Sequence, residues 1–344
     1  MNVQMTTVLC LGSTGFIGGT VLTTLQSTLP TSFHITALIR SDPEGLRLKT
    51  LSESGCHSVL TFSGLDASSE LTDICSRFDV VVNVADACDH LESAKAIVAG
   101  LKLAKEHGKL GILIHTSGTG VIMDNGLGAP SDIVYSDTDY TLISQLDPAQ
   151  PHRDVDLFIA QADDNITTVT VVPPLVYGEG TGRFKTWSSQ VPGLIHRAIK
   201  SGKAEFIGAG QGKWNHVHVQ DLARVFAILV ERVVLDPESV ESGARGYVFA
   251  ESGELTWKEL AQGVADAIKR TGQVELVTYE AVSLDAEETK DQFPNELGRA
   301  YYSSNSRSRA VKAREWGWEP VVGNKHPLFQ DLDREVLVQL KLHK

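Results

Sequence analysis

A glycine-rich turn between a short apolar segment and a helical pattern is the feature that most constrains this fold. Residues 7–11 read Thr-Val-Leu-Cys-Leu, which is typical of a buried strand, and residues 16–28 have the apolar spacing of a helix face. Glycine recurs at Gly12, Gly15 and Gly18. In a strand–turn–helix unit such glycines permit a tight turn, close approach of a pyrophosphate and close packing of the helix on the strand. The pattern predicts a dinucleotide site, because the N-terminus of a helix favours an anion.

Strand-like and helix-like segments alternate through the first half of the chain. Strands are predicted at residues 7–11, 34–39, 58–61, 79–84 and 110–115, and helices at residues 16–28, 43–54, 68–76 and 91–107. Alternation of this kind predicts βαβ units. We therefore expect the α/β class, with a doubly wound parallel sheet (a Rossmann fold) covered by helices on both faces.

The pattern changes after residue 115. Residues 117–151 are rich in Gly, Ser, Asp and Thr, and so long a loop within a compact domain is more often functional than idle. Further helices are predicted at residues 140–146, 153–163, 193–200, 221–233, 257–271 and 326–341, and further strands at 167–172, 204–207, 246–250 and 275–278. We expect a Rossmann domain over residues 1–177. A smaller α+β substrate lobe would cover residues 178–344, with some of its segments returning to pack on the Rossmann domain.

The charge balance bears on the partners. The chain has 31 Lys and Arg residues against 43 Asp and Glu residues, a formal net charge of −12. An acidic surface repels phosphate backbones, so we expect no nucleic-acid partner. No stretch of about 18 apolar residues indicates a membrane span. A small-molecule substrate is the expected partner, and no oligomeric state follows from the sequence.

The cysteines and histidines suggest neither disulfides nor a metal centre. None of the four cysteines belongs to a Cys-x-x-Cys pair, and each lies in or beside an apolar run, which favours buried thiols in a reducing compartment. The N-terminal residues have no basic segment typical of a signal peptide. His216 and His218 are not joined by a third ligand cluster, so we expect no metal site. These observations predict a cytoplasmic protein.

The end of the second predicted strand is expected to contact the cofactor ribose. Arg40 stands there, at about the 20-residue distance at which an acidic residue binds the 2′-hydroxyl of NAD and a basic residue accommodates the 2′-phosphate of NADP. Arg40 therefore favours NADP, and Arg47 or Lys49 could add a second cation. The alternative is NAD, with Asp42 serving the ribose.

The glycine turn is one of several short motifs that follow one another along the chain in a characteristic order and spacing. They are Gly-Ser-Thr-Gly-Phe-Ile-Gly (12–18), Gly-Leu-Asp (64–66), Val-Val-Val-Asn-Val-Ala (80–85), Ile-His-Thr-Ser-Gly (114–118), Val-Pro-Pro-Leu-Val-Tyr-Gly (172–178), His-Val-His-Val-Gln-Asp-Leu-Ala (216–223) and Trp-Gly-Trp-Glu-Pro (316–320). With these motifs the chain resembles the short-chain dehydrogenase/reductase superfamily, in its extended branch of NAD(P)-dependent epimerases, dehydratases and reductases. Only the first motif is specific alone.

The resemblance implies roles for the matching positions. Asp66 would hydrogen-bond the adenine amine, and Ala85 and Asp86 would lie along the cofactor ribose. The turn that holds the cofactor phosphates would consist of Gly12, Ser13, Thr14, Gly15, Phe16, Ile17 and Gly18. The nicotinamide would lie against Thr116, Ser117, Pro173, Pro174, Leu175 and Val176.

The chain departs from this family at the catalytic pair. Family catalysis uses Tyr-x-x-x-Lys, in which the tyrosine exchanges a proton with the substrate, while the lysine lowers the tyrosine pKa and holds the ribose. None of the seven tyrosines has a lysine four residues later. The segment expected to carry the pair reads Pro-Ala-Gln-Pro-His-Arg-Asp-Val-Asp (148–156). The chain therefore resembles an atypical member of the branch.

An enzyme of this kind needs another proton donor. Tyr135 lies in the long segment where substrate is usually bound, and His152 carries the side chain that gains or loses a proton near neutral pH. Ser117 and Thr119 could hydrogen-bond a carbonyl. Arg153, near the lysine position, could bind ribose but cannot transfer a proton at neutral pH. For each of these residues, an ordinary turn or surface position is the alternative.

Three functions remain open at this point. The first is an NAD(P)-dependent oxidoreductase or epimerase that acts on a small carbonyl or hydroxyl compound, with NADP(H) favoured. The second is a non-catalytic regulator that senses the NAD(P) state and binds a protein partner, since the catalytic pair is missing. The third is a non-redox isomerase or lyase that retains the cofactor as a scaffold.

Overall fold

The structure is a computed structural model that describes residues 5–162 and 165–342. An open parallel sheet lies at its centre. The strands are β1 (Thr6–Leu11), β2 (Phe33–Arg40), β3 (Ser58–Phe62), β4 (Val80–Asn83), β5 (Ile112–Thr116), β6 (Tyr135–Ser136), β7 (Thr167–Val172), β8 (Leu175–Tyr177), β9 (Glu205–Ile207), β10 (Lys213–His218), β11 (Tyr247–Phe249), β12 (Gly253–Thr256), β13 (Val282–Leu284) and β14 (Ser308–Arg309). The α-helices are α1 (Phe16–Thr28), α2 (Leu46–Glu53), α3 (Ser68–Cys75), α4 (Leu91–Glu106), α5 (Tyr140–Ser144), α6 (Arg153–Ala160), α7 (Gln190–Ser201), α8 (Val219–Leu235), α9 (Trp257–Thr271), α10 (Ala286–Gln292), α11 (Glu296–Ala300), α12 (Val311–Glu315), α13 (Val321–Lys325) and α14 (Leu328–Leu342).

The central sheet has the strand order β3-β2-β1-β4-β5-β7-β11, and all of its neighbouring strands are parallel. Strand β1 pairs with β2 on one side and with β4 on the other, so the order reverses at β1. Ligands of open α/β sheets bind at the carboxyl ends of the strands beside such a reversal. The expected doubly wound α/β fold is confirmed.

Helices cover both faces of this sheet, which explains why its strands are almost wholly apolar. The core on one face includes side chains of α1 and α8, such as Leu22 and Phe226. The core on the other face includes side chains of α3, α4 and α6, such as Ile97 and Ile159.

Parts of the second half of the chain belong to the central sheet. Strand β11 extends it beside β7, and α8 packs against α1. The remaining strands form small sheets, β12-β10-β8, β13-β9 and β14-β6. The domain boundary at residue 177 stays a prediction.

The predicted segments agree best with the observed helices and strands where the hydrophobic periodicity is strong. The bounds of α1, β7 and α9 match the predictions at both ends. Helix α2 begins later than predicted, at Leu46, because Gly45 takes a left-handed conformation with φ 65°. The predicted strand at residues 275–278 is wrong, since the nearby strand is Val282–Leu284, which pairs with β9. The predicted helix at 153–163 ends at Ala160, and its last predicted residue lies outside the described residues.

Cys10, Cys56 and Cys75 are buried and Cys88 is partly buried, all as free thiols. Within the described residues, no helix combines the length and the apolar character needed to cross a membrane.

A buried carboxylate ties α8 to the C-terminal segment. Asp221 is fully buried, and its carboxylate accepts hydrogen bonds from the backbone N–H of Val322 (3.0 Å) and Gly323 (2.6 Å). Its backbone carbonyl accepts a third bond from the indole of Trp318 (2.8 Å). The side chain of Asp221 therefore satisfies two backbone donors of the C-terminal segment.

We expect Asp221→Ala to lower the free energy of unfolding by about 3 kcal/mol, because two N–H groups lose a charged acceptor. Urea denaturation followed by tryptophan fluorescence measures this. Glu231→Ala, an exposed change on the same helix, is the matched control and should cost less than about 0.5 kcal/mol. Equal effects of the two substitutions would contradict this account.

Candidate functional site

The β1–α1 turn packs backbone against backbone. Gly12 has φ +79°, and a Cβ there would lie 2.4 Å from the carbonyl oxygen of Val84. A Cβ on Gly18 would lie 2.1 Å from the carbonyl oxygen of Gly12. A Cβ on Gly15 would meet only that same oxygen, at 3.2 Å. Gly12 and Gly18 therefore allow the turn to close.

The N-terminus of α1 is free to bind an anion. Its N-cap residue is Gly15, no side chain caps the helix, and its first turn contains no acidic residue. The first N–H groups of a helix have no partners within the helix, and the helix dipole is positive at this end. The residues of this turn line a cavity, so these donors are available to a phosphate.

The cavity has a volume of about 470 Å³ and lies where β1, β4, β5 and β7 end. Ten of the predicted cofactor residues line it, namely Gly15, Phe16, Ile17, Gly18, Ala85, Asp86, Thr116, Pro173, Pro174 and Val176. Three of the predicted catalytic residues, Ser117, Thr119 and His152, line it as well. The structure thus brings together most of the residues selected from the sequence.

Six predicted cofactor residues do not line the cavity. Gly12, Ser13 and Thr14 form the turn itself, where the Ser13 hydroxyl donates to the carbonyl of Cys10 (2.7 Å). Arg40 is exposed at the end of β2, and Asp66 is hydrogen-bonded to His90 (3.0 Å). Leu175 is fully buried in the core of the second half of the chain.

A segment after β8 crosses the first turns of α1. A Cβ on Gly182 would lie 2.9 Å from the Cα of Gly19, so the two backbones touch. The backbone N–H of Thr181 donates to the hydroxyl of Thr20 (3.2 Å). Further along the same segment, Lys185 lines the cavity. The cavity therefore has a wall from the second half of the chain.

His152 is the centre of a polar cluster on the substrate side. Its Nδ1 lies 2.6 Å from a carboxylate oxygen of Asp89, and its Nε2 lies 3.2 Å from the hydroxyl of Tyr301. A Cβ on Gly118 would lie 2.9 Å from this Nε2, and a Cβ on Gly120 would lie 2.7 Å from the Tyr301 hydroxyl. His152 has φ +69°, which is uncommon for a residue other than glycine and recurs at functional sites.

The hydrogen bonds determine which nitrogen of the neutral ring carries the proton. A carboxylate only accepts hydrogen bonds, so Nδ1 donates to Asp89. Nε2 of the neutral ring then accepts from the hydroxyl of Tyr301. Burial, and then the negative charge of Asp89, raise the pKa of Tyr301 well above its usual value, so the phenol keeps its proton at neutral pH.

Cys88 belongs to the same cluster. Its sulfur, a carboxylate oxygen of Asp89 and a ring nitrogen of His152 lie within 4.8 Å of one another, and these are atoms that bind zinc. Burial raises the pKa of the Cys88 thiol to about 12, with Asp89 and Asp86 adding to the effect. The predicted histidine pair is separate, since His216 and His218 pack edge-on against Tyr177.

A buried carboxyl lies beneath Ser117. The Ser117 hydroxyl donates to Asp156 (2.9 Å), which is fully buried in α6, four residues after His152. Burial raises the pKa of Asp156 to about 7. Burial also lowers the pKa of the adjacent His115 to about 3, so that imidazole is neutral.

Two predicted catalytic residues lie away from the cavity. Arg153 is buried, and its guanidinium donates to the hydroxyl of Tyr247 (2.7 Å) and to the carbonyl of Ile143 (3.2 Å), because its side chain turns into the core. Tyr135 belongs to β6, which pairs with β14, and its ring packs on the core. Neither lines the cavity in which the other candidates meet.

The sequence interpretation missed Asp89 and Tyr301. Asp89 follows β4 by a few residues, and acidic residues just beyond the carboxyl end of a central strand could have been examined as candidates. Tyr301 is 149 positions from His152 and has no local pattern that distinguishes it.

Comparison with known proteins agrees with the fold. The model of the NAD-dependent epimerase/dehydratase family matches residues 8–241. Oxidase ucsJ of Acremonium sp is 30% identical over 359 residues, which cover 98% of each chain. The crystal structure of dTDP-glucose 4,6-dehydratase from Bacillus anthracis in complex with NAD has a TM-score of 0.65, at 16% identity over 98% of this chain and 97% of that one. UDP-glucose 4-epimerase from Thermotoga maritima has a TM-score of 0.63, at 15% identity over 98% of this chain and all of that one.

The raised pKa of Asp156 makes stability depend on pH. A carboxyl whose pKa is higher in the folded state stabilises the fold fully below its unfolded value, near 4, and this stabilisation is lost as the pH rises through about 7. We therefore expect the wild-type protein to lose stability relative to Asp156→Asn between pH 4 and pH 7. Urea denaturation at several pH values measures the difference.

Glu106→Gln is the matched control for this experiment, because Glu106 is exposed at the end of α4 and does not contribute to the raised pKa of Asp156. Its stability should change with pH in parallel with that of the wild-type protein. A constant difference between wild type and Asp156→Asn across the pH range would show that Asp156 does not titrate as described.

Proposed function

The chain belongs to the NAD-dependent epimerase/dehydratase family, and on that premise we propose that it is an NAD(P)(H)-dependent oxidoreductase or epimerase. Its substrate is a small carbonyl or hydroxyl compound, and NADP(H) is its preferred cofactor. One observation carries the proposal. The uncapped N-terminus of α1 and the polar cluster around His152 line the same cavity, so a phosphate-binding end and a proton-carrying end belong to one site.

The residues present fit a nicotinamide cofactor. The backbone N–H groups at Gly15–Gly18 would hold the pyrophosphate, since glycine at Gly15 leaves that approach open. Thr116, Pro173, Pro174 and Val176 would flank the nicotinamide. When bound, this group donates or accepts a hydride at the carbon that is reduced or oxidised.

Two observations support the preference for NADP(H). Arg40 is exposed at the end of β2, and within the described residues its guanidinium has no hydrogen-bond or ion-pair partner. Asp42, the alternative residue for an NAD ribose, instead accepts a hydrogen bond from the backbone N–H of Leu48 (2.9 Å) at the start of α2. Arg40 is therefore the side chain that is free to pair with a 2′-phosphate.

The proton required by the reaction passes through His152. An imidazole can both give and accept a proton near neutral pH, and this one is oriented by the carboxylate of Asp89. Ser117 and Thr119 line the cavity, and their hydroxyl oxygens can accept a hydrogen bond from a substrate hydroxyl, since the Ser117 hydrogen is donated to Asp156. Arg153 and Tyr135 have no role in proton transfer or substrate orientation in this proposal, because their contacts lie in the core.

The proposal is tested by measuring NADPH and NADH binding and then the turnover of a panel of aldehydes and ketones. Tight binding with turnover is expected. Tight binding without any turnover would overturn the proposal and favour the sensing regulator. Turnover that persists with a cofactor analogue unable to transfer hydride would favour the isomerase or lyase.

His152→Gln should lower kcat/KM by about 10²–10⁴-fold, the usual contribution of a general acid or base, while the Kd for NADPH stays within about twofold. His107→Gln, an exposed change at the end of α4, is the control and should leave both unchanged. Full activity of His152→Gln would remove His152 from the proton path.

Arg40→Ala should raise the Kd for NADPH by at least about tenfold, because a charged hydrogen bond contributes about 1.5–3 kcal/mol. The Kd for NADH should not change. Arg77→Ala, an exposed arginine at the end of α3, controls for the loss of one positive charge. Equal weakening of NADPH and NADH by Arg40→Ala would contradict the 2′-phosphate contact.

A further inference from the structure

We propose that Tyr301, which directly follows α11, is the group that gives the proton to the substrate oxygen, and that His152, held in place by Asp89, resupplies it. The inference rests on the proposed function and identifies the donor within the same site. The tyrosine that is missing from the Tyr-x-x-x-Lys position would thus be contributed by a different part of the chain.

Three segments bring the chain of hydrogen bonds together. Asp89 follows β4, His152 precedes α6, and Tyr301 lies near the C-terminal end of the chain. Tyr301 and His152 both line the cavity beside Thr116 and Ser117. Two hydrogen bonds link the three groups one after another. The Tyr301 hydroxyl lies 3.2 Å from Nε2 of His152, and Nδ1 of His152 lies 2.6 Å from a carboxylate oxygen of Asp89. The Asp89 side chain is 68% exposed, so its carboxylate faces solvent while it holds the Nδ1–H of His152.

The positions of the hydrogen bonds favour Tyr301 over His152 as the direct donor. Both ring nitrogens of His152 are engaged, one by Asp89 and the other by Tyr301. The imidazole therefore has no free nitrogen for a substrate oxygen. A phenol has one donor hydrogen and two acceptor lone pairs, so Tyr301 accepts a hydrogen bond from Nε2 when His152 is protonated and can then donate its own hydrogen to a substrate oxygen.

Tyr301 is held in place on several sides. The backbone carbonyl of Tyr301 accepts a hydrogen bond from the side chain of Gln190 (3.3 Å), and its backbone N–H donates to Leu297 (3.0 Å). Its ring packs edge-on against Trp214, with 6.0 Å between ring centroids. Gly120 leaves room for the hydroxyl, because a Cβ there would lie 2.7 Å from it. These contacts fix the phenol before substrate binds, as positioned proton donors require.

The proton step balances as follows in the direction of reduction. The O–H bond of Tyr301 breaks and an O–H bond forms on the substrate oxygen. The phenolate oxygen takes the Nε2 proton of a protonated His152, whose Nδ1 keeps its hydrogen on Asp89. Nε2 regains a proton from water after the product leaves. A bound reduced nicotinamide would supply the hydride to the carbonyl carbon, so that one carbonyl, one hydride and one proton would give one alcohol. Oxidation of an alcohol uses the same groups in reverse.

The first test compares Tyr301→Phe with Tyr302→Phe, each of which removes one hydroxyl. The Tyr302 ring packs against Trp257 and Phe293 and does not line the cavity, so this variant is the matched control. With any carbonyl compound of the panel that the wild type reduces, Tyr301→Phe should lower kcat/KM by about 10²–10⁴-fold and leave the Kd for NADPH within about twofold. Tyr302→Phe should keep wild-type values for both.

Each kinetic outcome separates the two proposals. If the wild type turns over a substrate and Tyr301→Phe retains that activity, the role of Tyr301 is overturned and the proposed function stands. If the wild type reduces no member of the panel, the proposed function is overturned, together with the inference that rests on it. Addition of EDTA should not change the rate. A loss of activity with EDTA would indicate a metal ion on Cys88, Asp89 and His152 and would overturn the proton path.

The second test needs neither substrate nor turnover. In protein with ¹⁵N-labelled histidine, the His152 ring should carry its proton on Nδ1, with an Nε2 resonance that shifts in Tyr301→Phe and not in Tyr302→Phe. Asp89 acts through His152 as a positioning residue, so Asp89→Asn should lower the population of the Nδ1–H tautomer and lower kcat more than it changes KM. His152 resonances unchanged by Tyr301→Phe would show that the phenol does not bond the imidazole in solution and would overturn the inference.

Discussion

The contact between Gly18 at the start of α1 and Gly12 in the turn before it determines where the rest of the site lies. Gly12 in turn lies against the chain that leaves β4 at Val84. Because backbone meets backbone at both places, the N-terminus of α1 is brought to the point where the strand order reverses between β1 and β4. The ends of β4, β5 and β7 follow beside it. The uncapped N-terminus of α1 and the polar cluster therefore share one cavity, and the net charge of the chain would matter little for an anion held there by backbone N–H groups.

The substrate side of this cavity differs from the pattern of the Tyr-x-x-x-Lys pair. His152 and Asp156 are four residues apart at the start of α6, which is the spacing of the tyrosine and the lysine in Tyr-x-x-x-Lys. Asp156 is a buried carboxyl whose pKa is raised to about 7, and it carries no positive charge. A carboxyl cannot lower the pKa of a neighbouring phenol. The imidazole of His152, held by Asp89, is the group in this structure that can exchange a proton with Tyr301.

The fold could be predicted where local patterns determine it, and the site only in part. The glycine turn and the helical spacing after it are local, so α1 was predicted with both of its ends. Residues 275–278 have the composition of a strand, but Val282–Leu284 pairs with β9 instead, and such pairing depends on tertiary context. Arg153 was expected to reach the ribose from its charge and position, yet it turns into the core towards Tyr247. Tyr301 meets His152 only through the folded chain, so no spacing in the sequence could reveal it.

Hydride transfer within this cavity would distinguish an oxidoreductase from a sensing regulator, and isotope labelling measures that transfer. The purified protein is incubated with NADPH deuterated at C4 of the nicotinamide and with a carbonyl compound that it converts, and the product is analysed by mass spectrometry. We expect an alcohol that carries one deuterium, bonded to the former carbonyl carbon. A product formed without deuterium, from cofactor deuterated on either face of the ring, would contradict the proposed hydride transfer.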